Sequence, residues 1–263
     1  MTGNSAFQLV DERGWRRGLH NLMRAGHNSW WKTKTWWIHA LIWTAVINFV
    51  LAGILWSGET LADVEVVSIY CLFAGLFPTV AIIIIMQGAI VGEKQSGTAA
   101  WVLSKPVSRV AYILSKLVPN ALGMGVTMAL FPAIGAFIQF KLAHIDVALG
   151  NFVMGWLVLV LHLTFFLAFT VMLGAIFNSW GAVIGIALGL LFGQQYLISM
   201  APFLAYVLPW PLVMPVNDNI AGAIASTIMV GQTPDPFSPV IVVFVATAAC
   251  IFIAMQKFEE QEL

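Results

Sequence analysis

Long apolar runs separated by short polar stretches form most of this chain. A transmembrane helix needs about 20 mostly apolar residues. Six runs reach or approach that length, namely residues 37–56, 66–91, 112–140, 152–177, 181–200 and 239–255. The pattern therefore predicts an all-α, polytopic membrane protein with six transmembrane helices. The third run holds Pro119 and Pro132, so we expect it to be kinked or tilted.

The region before the first run has the pattern of an amphipathic helix. Read as a helix, it places Trp15, Leu19 and Leu22 on one face and several arginines on the other. Four more tryptophans surround two lysines in the sequence WWKTKTWW, and these are Trp30, Trp31, Trp36 and Trp37. Tryptophan suits the headgroup layer of a membrane. We therefore expect residues 1–36 to be a cytoplasmic interfacial segment in contact with lipid, anchored by these seven residues. Docking of a cytoplasmic partner on the same helix is compatible with this.

The remaining residues, 37–263, are predicted to form one six-span domain. Within it, residues 202–238 are rich in proline but contain stretches too apolar for free solvent and too short to cross a membrane. They predict short re-entrant or interfacial helices before the sixth span, on the extracellular side. The sequence leaves open whether they form a lid over an external exit or a packed loop.

Composition and charge agree with this layout. The chain is 60% hydrophobic and 9% charged, whereas soluble domains carry about 25% charged residues. Six spans would place eleven of the twelve Lys and Arg on one side, with only Lys141 on the other. The positive-inside rule then puts both termini in the cytoplasm, and we expect a multi-pass protein of the plasma membrane. The net charge is zero, so nothing points to nucleic acid.

The sequence carries no convincing catalytic or metal-binding motif. It has neither a phosphate-binding Gly-rich loop nor an HExxH motif, so we expect no catalytic residue, metal or cofactor in this chain. His162 is deep in a run, and without a paired histidine a packing role is favoured over ligation. The interiors of the runs lack acidic or basic groups, which ion-driven transporters usually contain. Energy for uphill transport would therefore have to enter from outside the spans.

A glycine recurs every fourth residue in the fifth run. Gly181, Gly185, Gly189 and Gly193 would form a smooth stripe on one helix face. Small residues at this spacing allow another helix to approach closely. The stripe predicts helix packing, either within the subunit or at an interface with a second subunit.

The most polar internal stretch, residues 92–109, lies between the second and third runs. Its sequence, GEKQSGTAAWVLSKPVSR, predicts a short cytoplasmic helix over about 98–105, stopped by Pro106. Ser108 is positioned to cap the third span. An ordinary amphipathic loop is the alternative.

The order of residues in this stretch resembles type-2 ABC transporter permeases, the ABC-2 type family. The resemblance rests on Glu93, Gly97-Thr98, the run LSKPVSR at 103–109, and Lys116. It implies a coupling helix that contacts an ATPase subunit, and the candidate coupling residues are Glu93, Gly97, Thr98, Trp101, Pro106 and Arg109. It also implies two ATP-binding subunits, which hold ATP and Mg²⁺, and a second permease that is identical or homologous. No substrate motif carries over.

The resemblance thus implies the transmembrane subunit of an exporter, with ATPase activity in a partner chain. The neutral, apolar spans of this chain suit a hydrophobic or amphipathic substrate. Three other hypotheses remain open at this point. They are the membrane subunit of a redox complex, a passive channel or scaffold without ATP coupling, and an intramembrane enzyme.

Overall fold

The computed structural model describes residues 13–58, 61–216 and 223–260, and within these ranges the fold is all-helical. Six helices are long and apolar enough to cross a membrane, as predicted. In chain order they are α2 (Thr35–Leu55), α3 (Asp63–Gln95), α5 (Arg109–Leu142), α6 (Leu149–Ile176), α7 (Trp180–Met200) and α9 (Ser238–Glu259). The shorter α-helices are α1 (Leu19–Trp31), α4 (Thr98–Leu103) and α8 (Ile224–Met229). The protein is therefore a multi-pass membrane protein.

Several helices extend beyond the apolar runs because polar groups cap their ends. Ser108 accepts a hydrogen bond from the backbone N–H of Ala111 at 3.0 Å, so α5 begins at Arg109. This confirms the predicted cap. At the start of α3, the Glu65 carboxylate accepts from the N–H of Ala62 at 2.9 Å. Such caps satisfy donors that have no partner within the helix, so the helices continue into polar sequence.

Two spans contain a turn of π-helix. One covers Gly88–Gly92 near the end of α3, and the other covers Gly125–Leu130 in the middle of α5. Pro119 and Pro132, where a kink was predicted, both lie inside α5 and flank its π turn. A proline removes a backbone donor and crowds the preceding turn, and π turns often occur where the regular hydrogen-bond ladder is interrupted.

The helices α3, α5 and α6 form the centre of the bundle. Most residues of α6 are buried, whereas in α2 only Ile47 and Leu51 are. Helix α6 packs against α3, α8 and α9 over long stretches. Neutral polar side chains also join the spans, since the Gln139 amide donates to Asn48 Oδ1 at 2.7 Å. Helices α2, α7 and α9 lie at the periphery and expose many apolar side chains.

Helix α1 lies along the first half of α5, and this corrects the prediction for Trp30. The Trp30 indole N–H donates to Asn120 Oδ1 at 2.8 Å, and its ring fills the space beside Gly123. Trp30 is only 4% exposed, so its assignment as a headgroup anchor is wrong. Asn120 offers an acceptor and Gly123 a gap, so the indole packs inside the protein. Gly26 likewise faces Pro119 closely.

The amphipathic helix also begins later than the sequence predicts. Gly18 has a positive φ of 78° and interrupts the helix, so Trp15 lies in a separate 3₁₀ turn, Gly14–Arg16. Trp15 is exposed, as an anchor requires, and so is Trp37. The other predicted anchors are half-buried, and these are Leu19, Leu22, Trp31 and Trp36. Residues 1–12 of the predicted segment lie outside the described residues.

The proline-rich segment contains short helices that pack on the bundle. Two are 3₁₀ helices, Pro202–Tyr206 and Trp210–Leu212, and the third is α8. The side chain of Gln194 accepts from the backbone N–H of Trp210 at 2.9 Å, and the hydroxyls of Ser68 and Ser226 bond at 2.8 Å. The predicted short helices are present, and hydrogen bonds hold them to α7 and α3. Their re-entrant position in the membrane stays a prediction, and residues 217–222 lie outside the described residues.

Candidate functional site

The polar stretch 92–109 forms a short helix, α4, between α3 and α5. Gly97 precedes it with a φ of 72°, a left-handed conformation that glycine adopts without strain. Thr98 begins the helix, and its hydroxyl lies 2.8 Å from that of Ser96. The helix ends at Leu103, and Pro106 follows in an exposed loop. The predicted short helix is thus present, two residues shorter than expected.

Helix α4 has one face against the bundle and one face outside it. Ala99 is fully buried, and Val102 and Leu103 pack partly against the core. Trp101 points away and is 65% exposed. The Lys105 ammonium lies 5.2 Å from the centre of its ring, a cation–π contact. A large aromatic side chain is therefore held on the outer face of a helix whose inner face is anchored.

Glu93 connects the end of α3 to the start of α5. Its carboxylate accepts a hydrogen bond from Tyr112 Oη and forms an ion pair with Lys116 Nζ, each at 2.5 Å. Both partners lie in the first two turns of α5, the helix that follows α4 in the chain. The Lys116 ammonium also lies 5.2 Å from the Tyr112 ring centre. Glu93 therefore fixes the two helix ends between which α4 is held.

The next two residues connect α3 to the turn between α6 and α7. The Lys94 ammonium donates to Asn178 Oδ1 at 3.0 Å and to the carbonyl oxygen of Ala175 at 3.1 Å. The Gln95 amide donates to the carbonyl oxygen of Asn178 at 2.8 Å. The last turn of α3 is thus bonded to both α6 and the turn that leads into α7.

Arg109 connects the start of α5 to the end of α9. Its Nη1 donates to the carbonyl oxygens of Glu259 at 2.6 Å and Phe258 at 3.3 Å. A cation at a helix C-terminus satisfies free carbonyls and interacts favourably with the helix dipole. The rings of Tyr112 and Phe258 also stack, with centroids 4.9 Å apart. The last span therefore ends beside the first residue of α5, which follows α4 after a short loop.

The loop after α4 contacts the N-terminal segment. The backbone N–H of Ser108 donates to the carbonyl oxygen of Arg17 at 2.9 Å. The hydroxyl of Ser108 donates to the carbonyl oxygen of Trp15. Gly18 lies close to Val107, because a Cβ added to Gly18 would come within 2.7 Å of the Val107 side chain. The exposed Trp15 and the α4 segment therefore belong to the same end of the molecule.

The structure divides the six predicted coupling residues into two groups. Gly97, Thr98, Trp101 and Pro106 are exposed, whereas Glu93 and Arg109 bond to other parts of the chain. Sequence reasoning missed the contacts made by Tyr112, Asn178 and Phe258. Asn178 lies in the polar turn NSW between two apolar runs, and that position was the available signal. The cluster mechanically joins the ends of α3, α5, α6 and α9 around α4.

The glycine stripe of α7 faces away from the rest of the subunit. A Cβ built on Gly185, Gly189 or Gly193 would meet no atom within 4 Å, and on Gly181 only the Ser179 hydroxyl, at 3.8 Å. Among the described residues, no other part of the subunit therefore packs against Gly185, Gly189 or Gly193. An apolar groove of about 570 Å³ lies next to the stripe. It is lined by residues of α2 and α3 and by Phe192 of α7.

The chain is similar in sequence to a known protein family. The sequence model of a family described as "ABC-2 family transporter protein" matches residues 20–255. The matched region contains α4 and all six spans except the last turn of α9. No curated protein matches the chain.

Proposed function

The chain belongs to the ABC-2 family of transporter proteins, and we propose that a separate ATP-binding subunit drives it by docking on α4. Membership supports a membrane subunit that takes part in transport. The observation that carries the docking proposal is Trp101, which is 65% exposed on a helix whose opposite face is buried. Exposed tryptophans supported in this way are frequent binding hot spots.

The contacts around α4 support a way for motion to reach the spans. A force on α4 acts on α3 and α5 through Glu93, Tyr112 and Lys116. It reaches α9 through Arg109, and it reaches the end of α6 and the turn before α7 through Lys94. Because packed helices move as rigid units, displacement of α4 would change how these four spans meet.

The distribution of charge in the spans also favours an external energy source. Within the described spans, every Asp, Glu, Lys and Arg lies within about two turns of a helix end. Chains of ionisable groups that relay protons through a bilayer are missing from the described interiors. ATP and Mg²⁺ would be held by two partner subunits. We propose export of a hydrophobic or amphipathic substrate across the plasma membrane, with both termini cytoplasmic.

Purification in mild detergent from the native membrane tests the docking proposal. We expect an ATP-binding subunit to co-purify, with ATPase activity that the isolated permease lacks. A passive channel or scaffold predicts no nucleotide dependence, and the membrane subunit of a redox complex predicts a coloured preparation. Purification with no nucleotide-binding partner under conditions that preserve transport would end the ATP-coupling proposal.

We propose that the outward glycine stripe of α7 meets a second permease, identical or homologous. Leucine at Gly189 would project into open space from this subunit, so folding of the monomer should be unaffected. It would block close approach of another helix. We expect Gly189→Leu to shift the purified permease from dimer to monomer by multi-angle light scattering, and Gly185→Leu to do the same.

A matched control for the stripe is Gly150→Leu. Gly150 lies in the first turn of α6, and its Cβ also would meet nothing within 4 Å, but it is not on α7. We expect this variant to stay dimeric. An unchanged oligomer in both stripe variants would remove the stripe from the proposed interface.

A further inference from the structure

A second apolar groove lies on the side of the bundle formed by α6, α8 and α9. Its volume is about 600 Å³, within the range of small-molecule sites. The lining includes Met154, Leu157 and Leu161 of α6, Ile228 of α8, and Phe244 and Ile251 of α9. The groove runs along two membrane spans, so it does not depend on the proposed ATP coupling.

The walls of this groove offer almost no hydrogen-bonding group. Two hydroxyls line it, and both are satisfied by their own helices. Thr164 donates to the carbonyl oxygen of Val160 and Thr247 to that of Val243, each at 2.7 Å. A ligand portion bound there would therefore have to be apolar and would be held by packing alone.

The groove opens sideways to the surroundings of the spans. Met154 is 58% exposed and Phe244 is 66% exposed along its edges. The surroundings of a membrane span are lipid chains. The glycine stripe, which suits a second permease, is on α7, whereas α6 and α9 form this groove. We therefore expect the open side of the groove to face lipid.

An acidic residue lies close along the chain to one end of the groove. Asp235 is exposed and lies two residues before Phe237, which lines the groove. Two residues of extended chain span at most about 7 Å. Neither ion pair in the described part of the chain includes Asp235. An unpaired carboxylate there would attract an ammonium group and repel an anionic one.

We propose that this groove binds one acyl chain of a phospholipid whose headgroup carries an amine, such as phosphatidylethanolamine. The aliphatic chain fills the apolar groove, and the ammonium group faces Asp235. The ligand is a resident membrane lipid, held more tightly than the lipids that surround the rest of the bundle.

Native mass spectrometry of the detergent-purified permease tests the site. The protein is supplied with equal amounts of phosphatidylethanolamine and phosphatidylglycerol and then washed with lipid-free detergent. We expect the wild type to retain one phosphatidylethanolamine per chain. Ala248→Trp fills the groove, because Ala248 lines it, and should lose this lipid. Val245→Trp, at an exposed position of α9 outside the lining, should retain it.

Asp235→Asn tests the headgroup separately from the chain. It should still retain one lipid, but its preference for phosphatidylethanolamine over phosphatidylglycerol should fall about fivefold, the size of a surface charge interaction. Equal lipid retention by the wild type and Ala248→Trp would overturn the proposal. Loss of a second protein copy instead of a lipid on Ala248→Trp would also overturn it. Neither result bears on ATP coupling, because no nucleotide or partner is present.

Discussion

Replacing Trp101 with alanine should weaken binding of the ATP-binding subunit by about 30-fold to 1000-fold. This corresponds to the roughly 2–4 kcal/mol lost when a central aromatic hot spot is truncated. The side chain is 65% exposed, so its removal takes little packing from the permease itself. Titration of the purified partner onto the permease in nanodiscs, followed by light scattering or interferometry, measures the change in Kd.

Two variants control for nonspecific effects of losing a tryptophan. Trp56 is 61% exposed, but it follows the last residue of α2, at the opposite end of the bundle from α4. Trp56→Ala should therefore leave the Kd for the partner unchanged. Trp101→Phe keeps most of the apolar surface and should lose far less affinity than alanine. If Trp101→Ala binds the partner as tightly as the wild type, the partner does not dock on this face of α4.

Glu93→Gln should uncouple the two subunits without separating them. The amide oxygen still accepts from Tyr112, but the charge that pairs with Lys116 at 2.5 Å is lost. Hydrogen bonds to charged groups contribute about 1.5–3 kcal/mol. We therefore expect substrate-stimulated ATPase to fall about tenfold or more, while the partner still co-purifies, because Glu93 does not lie on the exposed face.

The second ion pair of the described chain is the matched control. Lys257 and Glu260 are 2.7 Å apart, but their side chains are 51% and 63% exposed. Exposed pairs contribute little, so Glu260→Gln should leave both ATPase and assembly unchanged. Unaltered ATPase in Glu93→Gln would mean that the link between α3 and α5 does not transmit motion. Loss of the partner from Glu93→Gln would place Glu93 in the docking surface instead.

The two variants together separate docking from transmission. Trp101→Ala removes a group that faces outward and should reduce assembly. Glu93→Gln removes a group that faces inward and should reduce only the response to assembly. The resemblance named both residues as coupling residues, and their different orientations give them different expected phenotypes.

The apolar pattern was sufficient to predict the six spans, and the polar stretch ending in Pro106 predicted the short helix between α3 and α5. A helix that crosses a membrane needs about 20 mostly apolar residues in a row, so each span can be recognised from one contiguous part of the sequence. Helix ends were less accurate, because caps such as Ser108 and Glu65 extend helices into polar residues. The short helices of residues 202–238 were also predictable, since proline limits their length.

Trp30 and the glycine stripe show where local pattern was insufficient. Trp30 belongs by sequence to a tryptophan-rich belt, yet Asn120 and Gly123, some 90 residues later, provide its acceptor and its space. The glycine stripe predicted close packing but not its partner. Only the arrangement of the other spans shows that no helix in the described part of the subunit packs against it.

The sequence by itself determined that the chain has six helices long and apolar enough to cross a membrane, because hydropathy and periodicity are properties of contiguous residues. Gly97 also predicted where α4 begins, whereas its end at Leu103 comes two residues before the predicted one. Only the tertiary structure decided that Trp101 faces outward while Glu93 and Arg109 face the helix ends. Those orientations depend on Tyr112, Lys116 and the carbonyls of α9. Such contacts form between helices that are distant along the chain, and folding brings them together.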